Sequence, residues 1–161
     1  MTSSLSKSWI ALTIASALAG AFLIGISAAS AGQCPADKVV TSDGQKAGAT
    51  AHKDVTEKLL GEIDLTKEKV SVPGHHFRMR QLEVAPGGEV AWHNHDERPA
   101  LIYIVSGEIT EYASTCSVPI DHKAGDLSVE SHLSHWWKNN SDKPAVLISA
   151  DIAADPKDHN M

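Results

Sequence analysis

Histidine is the residue type through which this sequence could do chemistry. The chain of 161 residues contains nine histidines, and His93 and His95 are separated by one residue in a segment that is predicted to be a strand. Side chains two positions apart on a strand point to the same face of the sheet, so both imidazoles face the same space. Imidazole nitrogens bind transition metals, and one or two further ligands from a neighbouring strand would complete such a site. The pair therefore predicts part of a metal site.

Short strands must position these histidines. Turn signals at Pro86-Gly87-Gly88, Ser106-Gly107 and Ala124-Gly125-Asp126 separate segments of four to eight residues without helical periodicity. Many short strands in this arrangement predict an antiparallel sandwich or barrel. The predicted strands are residues 77–84, 89–93, 100–105, 108–115, 118–121, 127–130, 135–138 and 145–152. Residues 55–65 could form either a short helix or an edge strand.

The spacing of two motifs resembles that of the cupin family. The positions that match the first cupin motif are Gly87, His93, His95 and Gly107, and the apolar run Leu101–Ser106 before Gly107-Glu108 resembles the strand and Gly-Glu turn of that motif. Gly125-Asp126 and the segment His135–Asn139 resemble the second motif. The resemblance covers residues 77–152, and it implies an all-β, antiparallel jelly-roll barrel whose mouth holds a metal or a ligand.

The sequence departs from the family pattern at three places. The Pro and Gly of the second motif fall on Ser131 and Leu133. The usual glutamate ligand falls on Ala100, and His135 comes one residue early, which a one-residue deletion in the turn 131–134 would explain; His132 is the substitute otherwise. The resemblance leaves His93, His95 and His135 as metal ligands without a carboxylate. Such a set favours Fe, with Zn, Ni, Cu or Mn as alternatives, and the absence of a hard oxygen counts against Mn. Water, hydroxide or an anionic substrate would then balance the charge of the ion.

Two functions are compatible with this pattern. The family includes three-histidine iron enzymes that oxidise small molecules with O₂, so the resemblance implies a metal-dependent oxygenase. The alternative is a barrel, with or without a metal, that binds or senses a small ligand without catalysis. The only acidic residue predicted to share the histidine face is Glu89, at the far end of its strand. General-base chemistry is therefore not predicted, and the catalytic residues stay unassigned.

Four other residues are candidates for a pocket. Trp137 shares its strand face with His135 and could line the cavity or fill the core, and Ala100 stands where the family has its glutamate. Arg78 and Arg80 share one strand face and could clamp a carboxylate or stay solvated. Five histidines are predicted to lie at the surface or at strand ends: His52, His75, His76, His122 and His159.

The N-terminus resembles an export signal. Lys7 precedes an uncharged stretch from Trp9 to Ile26, and Ala29-Ser30-Ala31 is a suitable cleavage site, although an uncleaved membrane anchor is the alternative. The predicted divisions are a signal at residues 1–31, a leader at 32–54, the barrel at 55–152 and a tail at 153–161. The mature chain would then have no stable membrane anchor and would be periplasmic or secreted.

In an oxidising compartment the only two cysteines, Cys34 and Cys116, would form a disulfide rather than remain two thiols.

Charge and composition limit the partners. The net charge is −6 and no run of Lys or Arg occurs, which argues against a nucleic-acid binder. A hydrophobic content of 42% and a charged content of 21% are typical of a globular protein rather than a disordered one. The expected partner is a small molecule, and the resemblance implies a possible homodimer paired through edge strands.

Overall fold

The computed structural model describes residues 32–154, and over this range the chain is an antiparallel β-barrel. The strands are β1 (Lys53–Asp64), β2 (His76–Asn94), β3 (Ala100–Ser106), β4 (Glu108–Ala113), β5 (Ile120–Lys123), β6 (Leu127–Glu130), β7 (Ser134–Lys138) and β8 (Ala145–Ala153). The predicted all-β jelly roll is confirmed. The predicted signal at residues 1–31 lies outside the described residues, as does His159.

Strand β2 connects the two halves of the barrel. The strand order is β5-β4-β7-β2-β8-β3-β6, and β1 pairs with β2. The first half of β2 pairs with β1 and β8, and its second half pairs with β7. Two separate strands were expected here, but the chain bends at Pro86-Gly87-Gly88 without reversing. Gly87 has a φ of 73°, which glycine adopts at no steric cost, so the strand changes direction there and continues.

Two ambiguous segments near the N-terminus are ordered. The segment that could have been a helix or a strand is β1, followed by a single 3-10 turn at Leu65–Lys67. Before β1, the leader is fixed to the barrel by the predicted disulfide, because Cys34 and Cys116 are bonded with an S–S distance of 2.02 Å. Among residues 32–154, no helix has the length and apolar character needed to cross a bilayer.

The interior of the barrel is divided into an apolar and a polar region. The apolar core is built around Leu82, Val84, Ile102, Ile104 and Leu147. Farther along the same inward faces, charged and polar side chains replace the aliphatic ones: Arg78 and Arg80 on β2, and Ser149 and Asp151 on β8, are all buried. Alternation along the strands therefore places titratable groups inside one end of the barrel.

Candidate metal centre

Three histidines converge inside the barrel. Strands β2 and β7 pair with His93 directly opposite His135, and His95 directly follows Asn94, the last residue of β2. The Nε2 atom of His135 is 3.0 Å from Nε2 of His93 and 3.1 Å from Nε2 of His95. The structure thus brings together His93, His95 and His135, the three metal ligands predicted from the sequence.

The opposite ring nitrogen of each histidine is held by an acceptor. Nδ1 of His93 lies 2.7 Å from the carbonyl oxygen of Ala91, and Nδ1 of His95 lies 2.6 Å from that of Arg98. Nδ1 of His135 lies 2.7 Å from Oε1 of Glu111. A carbonyl or a carboxylate can only accept, so each Nδ1 carries the proton. The three Nε2 atoms therefore point unprotonated lone pairs at one another.

Glu130 on β6 adds a carboxylate to the three imidazoles. Its Oε2 is 3.0 Å from Nε2 of His95, and its Oε1 is 3.6 Å from Nε2 of His135. One ligand atom from each of the four residues lies within 4.8 Å of the others. The expectation of a histidine face without a carboxylate was therefore wrong. Glu130 pairs directly across the sheet with Ala100, so the carboxylate comes from the strand beside the position where the family motif has its glutamate.

The donor set fits a divalent transition-metal ion. Adjacent donors at right angles around an ion with bonds of about 2.1 Å lie roughly 3 Å apart, close to the observed separations of the Nε2 atoms. Three lone pairs in contact repel one another unless a cation lies between them. Both oxygens of Glu130 are buried without a hydrogen-bond donor among the described residues. A cation would remove both unfavourable features at once.

The pKa shifts of the candidate ligands agree with binding of a divalent metal ion. Burial, reinforced by the neighbouring His135, lowers the pKa of His93 well below its usual range and that of His95 to about 3. Both imidazoles are therefore neutral at pH 7 and ready to bind a metal. Burial also raises the pKa of Glu130 well above its ordinary value, and the negative charge of Glu111 adds to the effect. A carboxylate in this position needs a nearby positive charge to stay ionised.

The carboxylate of Glu111 orients His135 by accepting a hydrogen bond from Nδ1, the ring nitrogen that does not face the other candidate ligands. Besides accepting from His135, Glu111 contacts His122, whose Nε2 is 3.0 Å from Oε2, and accepts from the Ser128 hydroxyl at 3.3 Å. Burial would raise the pKa of Glu111, but the hydrogen bonds from His122 and His135 outweigh it and lower the pKa to about 2. His122 was expected at the surface, but it is 2% exposed because its position on β5 faces inward against β4.

The predicted pocket residues occupy the barrel interior. Arg78 and Arg80 are both 1% exposed and hold the carboxylate of Asp151, with the shortest N–O distances at 2.8 and 2.9 Å. They clamp a carboxylate of this chain rather than lying in solvent. Trp137 is buried, and its ring centre is 5.5 Å from that of His135. Ala100 is also buried, and its small side chain leaves room for Glu130 beside it.

The other candidate histidines lie away from this centre. His132, the substitute for His135, stands in the turn before β7 with its side chain 81% exposed and 3.9 Å from Asp96. His52 accepts a hydrogen bond from the backbone N–H of Ala91. Glu89, the only acidic residue that the sequence placed on the histidine face, instead pairs with Lys138 at 3.0 Å.

Comparison with known proteins identifies the barrel. The family model described as "Cupin domain" matches residues 80–151, which include all four candidate ligands. The barrel is a cupin domain. An RmlC-like cupin from Shewanella frigidimarina is 16% identical, with a TM-score of 0.50, and the match covers 71% of this chain and 87% of that one. No curated protein matches the sequence.

Two further solved structures are similar to this chain. A Klebsiella pneumoniae protein with a double-stranded β-helix domain is 18% identical, has a TM-score of 0.49, and the match covers 73% of this chain and 90% of that one. The cupin domain of Schizosaccharomyces pombe Cnp3 is 16% identical, has a TM-score of 0.49, and the match covers 67% of this chain and 70% of that one. At 16% identity and a TM-score of 0.50, the similarity to the Shewanella frigidimarina structure shows the fold alone. Cupin domains commonly bind small ligands, and the disulfide fits folding in an oxidising compartment.

Proposed function

We propose that this cupin binds one divalent transition-metal ion through His93, His95, His135 and Glu130 and uses it to act on a small molecule. The convergence of the three Nε2 atoms on the orphaned carboxylate of Glu130 carries the proposal. Three neutral imidazoles and one carboxylate leave a divalent ion with a net charge of +1. An anionic or polarisable ligand would complete its coordination.

We propose iron as the resident metal and oxidation of the small molecule with O₂ as the activity. Imidazoles suit Fe, Zn, Ni and Cu, and the carboxylate of Glu130 supplies a hard oxygen donor that also suits Mn. When bound, such an ion supplies Lewis acidity and, for iron, redox chemistry with O₂. The protein itself holds the imidazoles in one tautomer through Ala91, Arg98 and Glu111, and the buried ring of Trp137 packs beside His135.

We also propose that the chain is exported and that its predicted signal is removed. The disulfide between Cys34 and Cys116 supports an oxidising destination, the periplasm or the medium. Mass spectrometry of protein secreted from an expression host would test this, and a mature N-terminus at Gly32 is the expected result.

Elemental analysis of protein purified without chelator or metal-affinity tag tests the metal site. We expect about one equivalent of metal per chain in the wild type and at least a tenfold loss in His93→Ala and Glu130→Gln. His132→Ala is the matched control, because His132 is exposed and lies outside the cluster. A metal content that stays the same in all four proteins would contradict the proposal.

Oxygen uptake separates the enzyme from the binding barrel. Protein loaded with Fe(II) should consume O₂ when a panel of small carboxylates, phenols and thiols is supplied, and Glu130→Gln should not. Full metal occupancy and ligand binding without turnover would favour the non-catalytic ligand-binding function instead.

A further inference from the structure

The first residues after the predicted cleavage site are held tightly against the barrel. Gly32 is buried, and the side-chain amide of Gln33 donates a hydrogen bond to the carbonyl oxygen of Leu127 at 2.9 Å. Cys34 follows and is bonded to Cys116. The ends of most domains are poorly ordered unless specific contacts hold them. Three consecutive anchored residues at this point therefore suggest a role beyond closing the disulfide.

Gly32 lies beside a histidine nitrogen that has no hydrogen-bond partner. His122 is 2% exposed, and its Nε2 lies 3.0 Å from Oε2 of Glu111. A carboxylate oxygen can only accept, so Nε2 carries the proton and Nδ1 presents a lone pair. Among residues 32–154, nothing donates a hydrogen bond to this Nδ1. A buried acceptor without a donor is costly, so a donor placed next to Gly32 would stabilise the protein.

The space beside Gly32 has the dimensions of a hydrogen bond to His122. A Cβ atom built on Gly32 would lie 2.9 Å from Nδ1 of His122 and 3.0 Å from Cβ of Asp126, which is too close for carbon. The same 2.9 Å is an ordinary hydrogen-bond distance for a nitrogen donor. The carbonyl oxygen of Leu127 lies 3.4 Å from this point and faces it as a second acceptor. The position therefore fits a nitrogen atom and excludes a side-chain carbon.

Removal of the predicted signal would bring a nitrogen atom to this position. A peptidase that hydrolyses the bond between Ala31 and Gly32 adds water, leaves a carboxylate on Ala31 and frees the α-amino group of Gly32. The free amino group can then turn about the Cα–C bond of Gly32, and a turn of about 120° between staggered positions brings it to the Cβ position. A cavity of about 220 Å³, lined in part by Gly32, leaves room for this turn. In the uncut chain the same nitrogen is an amide bonded to residue 31, so it lacks this freedom.

We propose that the α-ammonium group of Gly32, formed when the signal is removed, donates a hydrogen bond to Nδ1 of His122 and completes a chain of contacts to the metal centre. An α-amino group is largely protonated at pH 7 and is then a donor. The chain continues from His122 to Glu111 and from Glu111 to Nδ1 of His135. The ammonium group is a positioning group, because it fixes the ring of His122, which in turn holds one oxygen of Glu111. This role rests on the proposed signal removal and metal site, which mass spectrometry of the exported protein and elemental analysis test independently.

Three chains with defined N-termini test the docking of the amino group. They begin at Gly32, one residue earlier at Ala31, and one residue later at Gln33, and scarless proteolysis of a fusion protein yields each of them. The α-amino group of the Gly32 chain should react with acetic anhydride roughly tenfold more slowly than that of the Ala31 chain, because it is buried and hydrogen-bonded. The midpoint of thermal unfolding should be about 4 °C lower in the two other chains. Equal acetylation rates in the Gly32 and Ala31 chains would overturn the proposal.

Nitrogen NMR of chains with ¹⁵N-labelled histidine distinguishes positioning from simple burial. In the Gly32 chain, Nδ1 of His122 should show the upfield shift of a hydrogen-bonded acceptor, and the Ala31 and Gln33 chains should lack it. Metal affinity should fall only about threefold in those two chains, because Glu111 keeps its own hydrogen bond to His135. A His122 signal that is the same in all three chains would contradict the docking, whatever their stabilities. An exported protein that begins at another residue would instead contradict the proposed processing.

Two substitutions identify His122 as the acceptor. His122→Phe should abolish the difference in acetylation rate between the Gly32 and Ala31 chains, because the acceptor is gone. Ser128→Ala is the matched control, since Ser128 also contacts Glu111 but is not the acceptor for the amino group, and it should preserve the difference. A difference that persists in His122→Phe would overturn the proposal. If His122→Phe does not fold, the NMR comparison decides, because it needs only unsubstituted chains.

Discussion

Glu111 controls the orientation of His135 although it is not one of the four candidate ligands. Its Oε1 lies 2.7 Å from Nδ1 of His135, and its other oxygen contacts His122 and Ser128. A carboxylate behind a metal-binding imidazole fixes the tautomer and increases the basicity of the ligand nitrogen. Glu111 is therefore a positioning residue for the proposed ion.

Glu111→Gln should weaken metal binding by 10-fold to 100-fold. The amide oxygen can still accept the hydrogen bond from His135, but the negative charge that strengthens its donor nitrogen is lost. Equilibrium dialysis against Mn(II) and Zn(II) measures the effect. Ser128→Ala is the control, because it removes a 3.3 Å contact to the same carboxylate and keeps the charge. Equal losses of affinity in both variants would show that general packing, and not the charge of Glu111, is responsible.

The individual ligands differ in how far the sequence could predict them. His93 and His95 were predicted to share a face from simple alternation along an extended segment, and the family resemblance supplied His135. Glu130 was missed because only the pairing of β6 with β3 places it beside the histidines, and a single sequence does not contain that register. The alternation in Leu127–Glu130 did contain a signal, since Ser128 and Glu130 share one face and Leu127 and Val129 the other.

At the scale of the strands, the position of the carboxylate depends on the pairing of β3 with β6. Ala100 and Glu130 are direct cross-strand partners, and cross-strand neighbours have Cβ atoms about 5 Å apart. Both side chains face inward and both are buried. A glutamate on either strand should therefore bring a carboxylate to the same three imidazoles.

Exchanging these two residues tests that equivalence. Glu130→Ala alone should lose at least tenfold in metal affinity, and the double variant Ala100→Glu/Glu130→Ala should regain most of it, because the carboxylate returns from the adjacent strand with the total side-chain volume unchanged. Isothermal titration with Mn(II) measures both. The single variant Ala100→Glu, which crowds two carboxylates together, serves as the comparison. If the double variant binds no better than Glu130→Ala, the geometry of β6 itself is required.

Turn chemistry explains where the predicted strands agree with the observed ones and where they do not. The strand before Gly107 ends within one residue of the expected position, and the strand after Gly125 begins where expected, because positive φ at both glycines accompanies a reversal of the chain. The strand before Gly125 runs two residues farther than expected, to Lys123. At Gly87 the same residue type permits a bend within one long strand. A glycine thus marks a change of direction, whereas the pairing partners on either side decide whether the strand ends.

At the scale of the whole molecule, the disulfide joins the leader to the barrel. Cys34 and Cys116 are 82 residues apart in sequence, and Val39 forms an isolated β-bridge with Cys116. A cavity of about 220 Å³ lies where the leader meets the barrel, lined by residues that include Cys34, Glu111 and Ser128. The leader therefore covers the barrel near Glu111, whereas the candidate ligands His93, Glu130 and His135 belong to β2, β6 and β7, and His95 directly follows β2.

Removing the disulfide should consequently reduce stability more than metal binding. In the chain-entropy account, a loop of this length is worth about 4 kcal/mol, so Cys34→Ser/Cys116→Ser should lower the free energy of unfolding in urea by that amount. Metal affinity should change less than tenfold, because the ligands and their Nδ1 partners remain in place. Dithiothreitol should destabilise the wild type equally and leave the double variant unaffected. A much larger loss of metal affinity would mean that the leader holds Glu111 in position, and the covering segment would then belong to the metal centre.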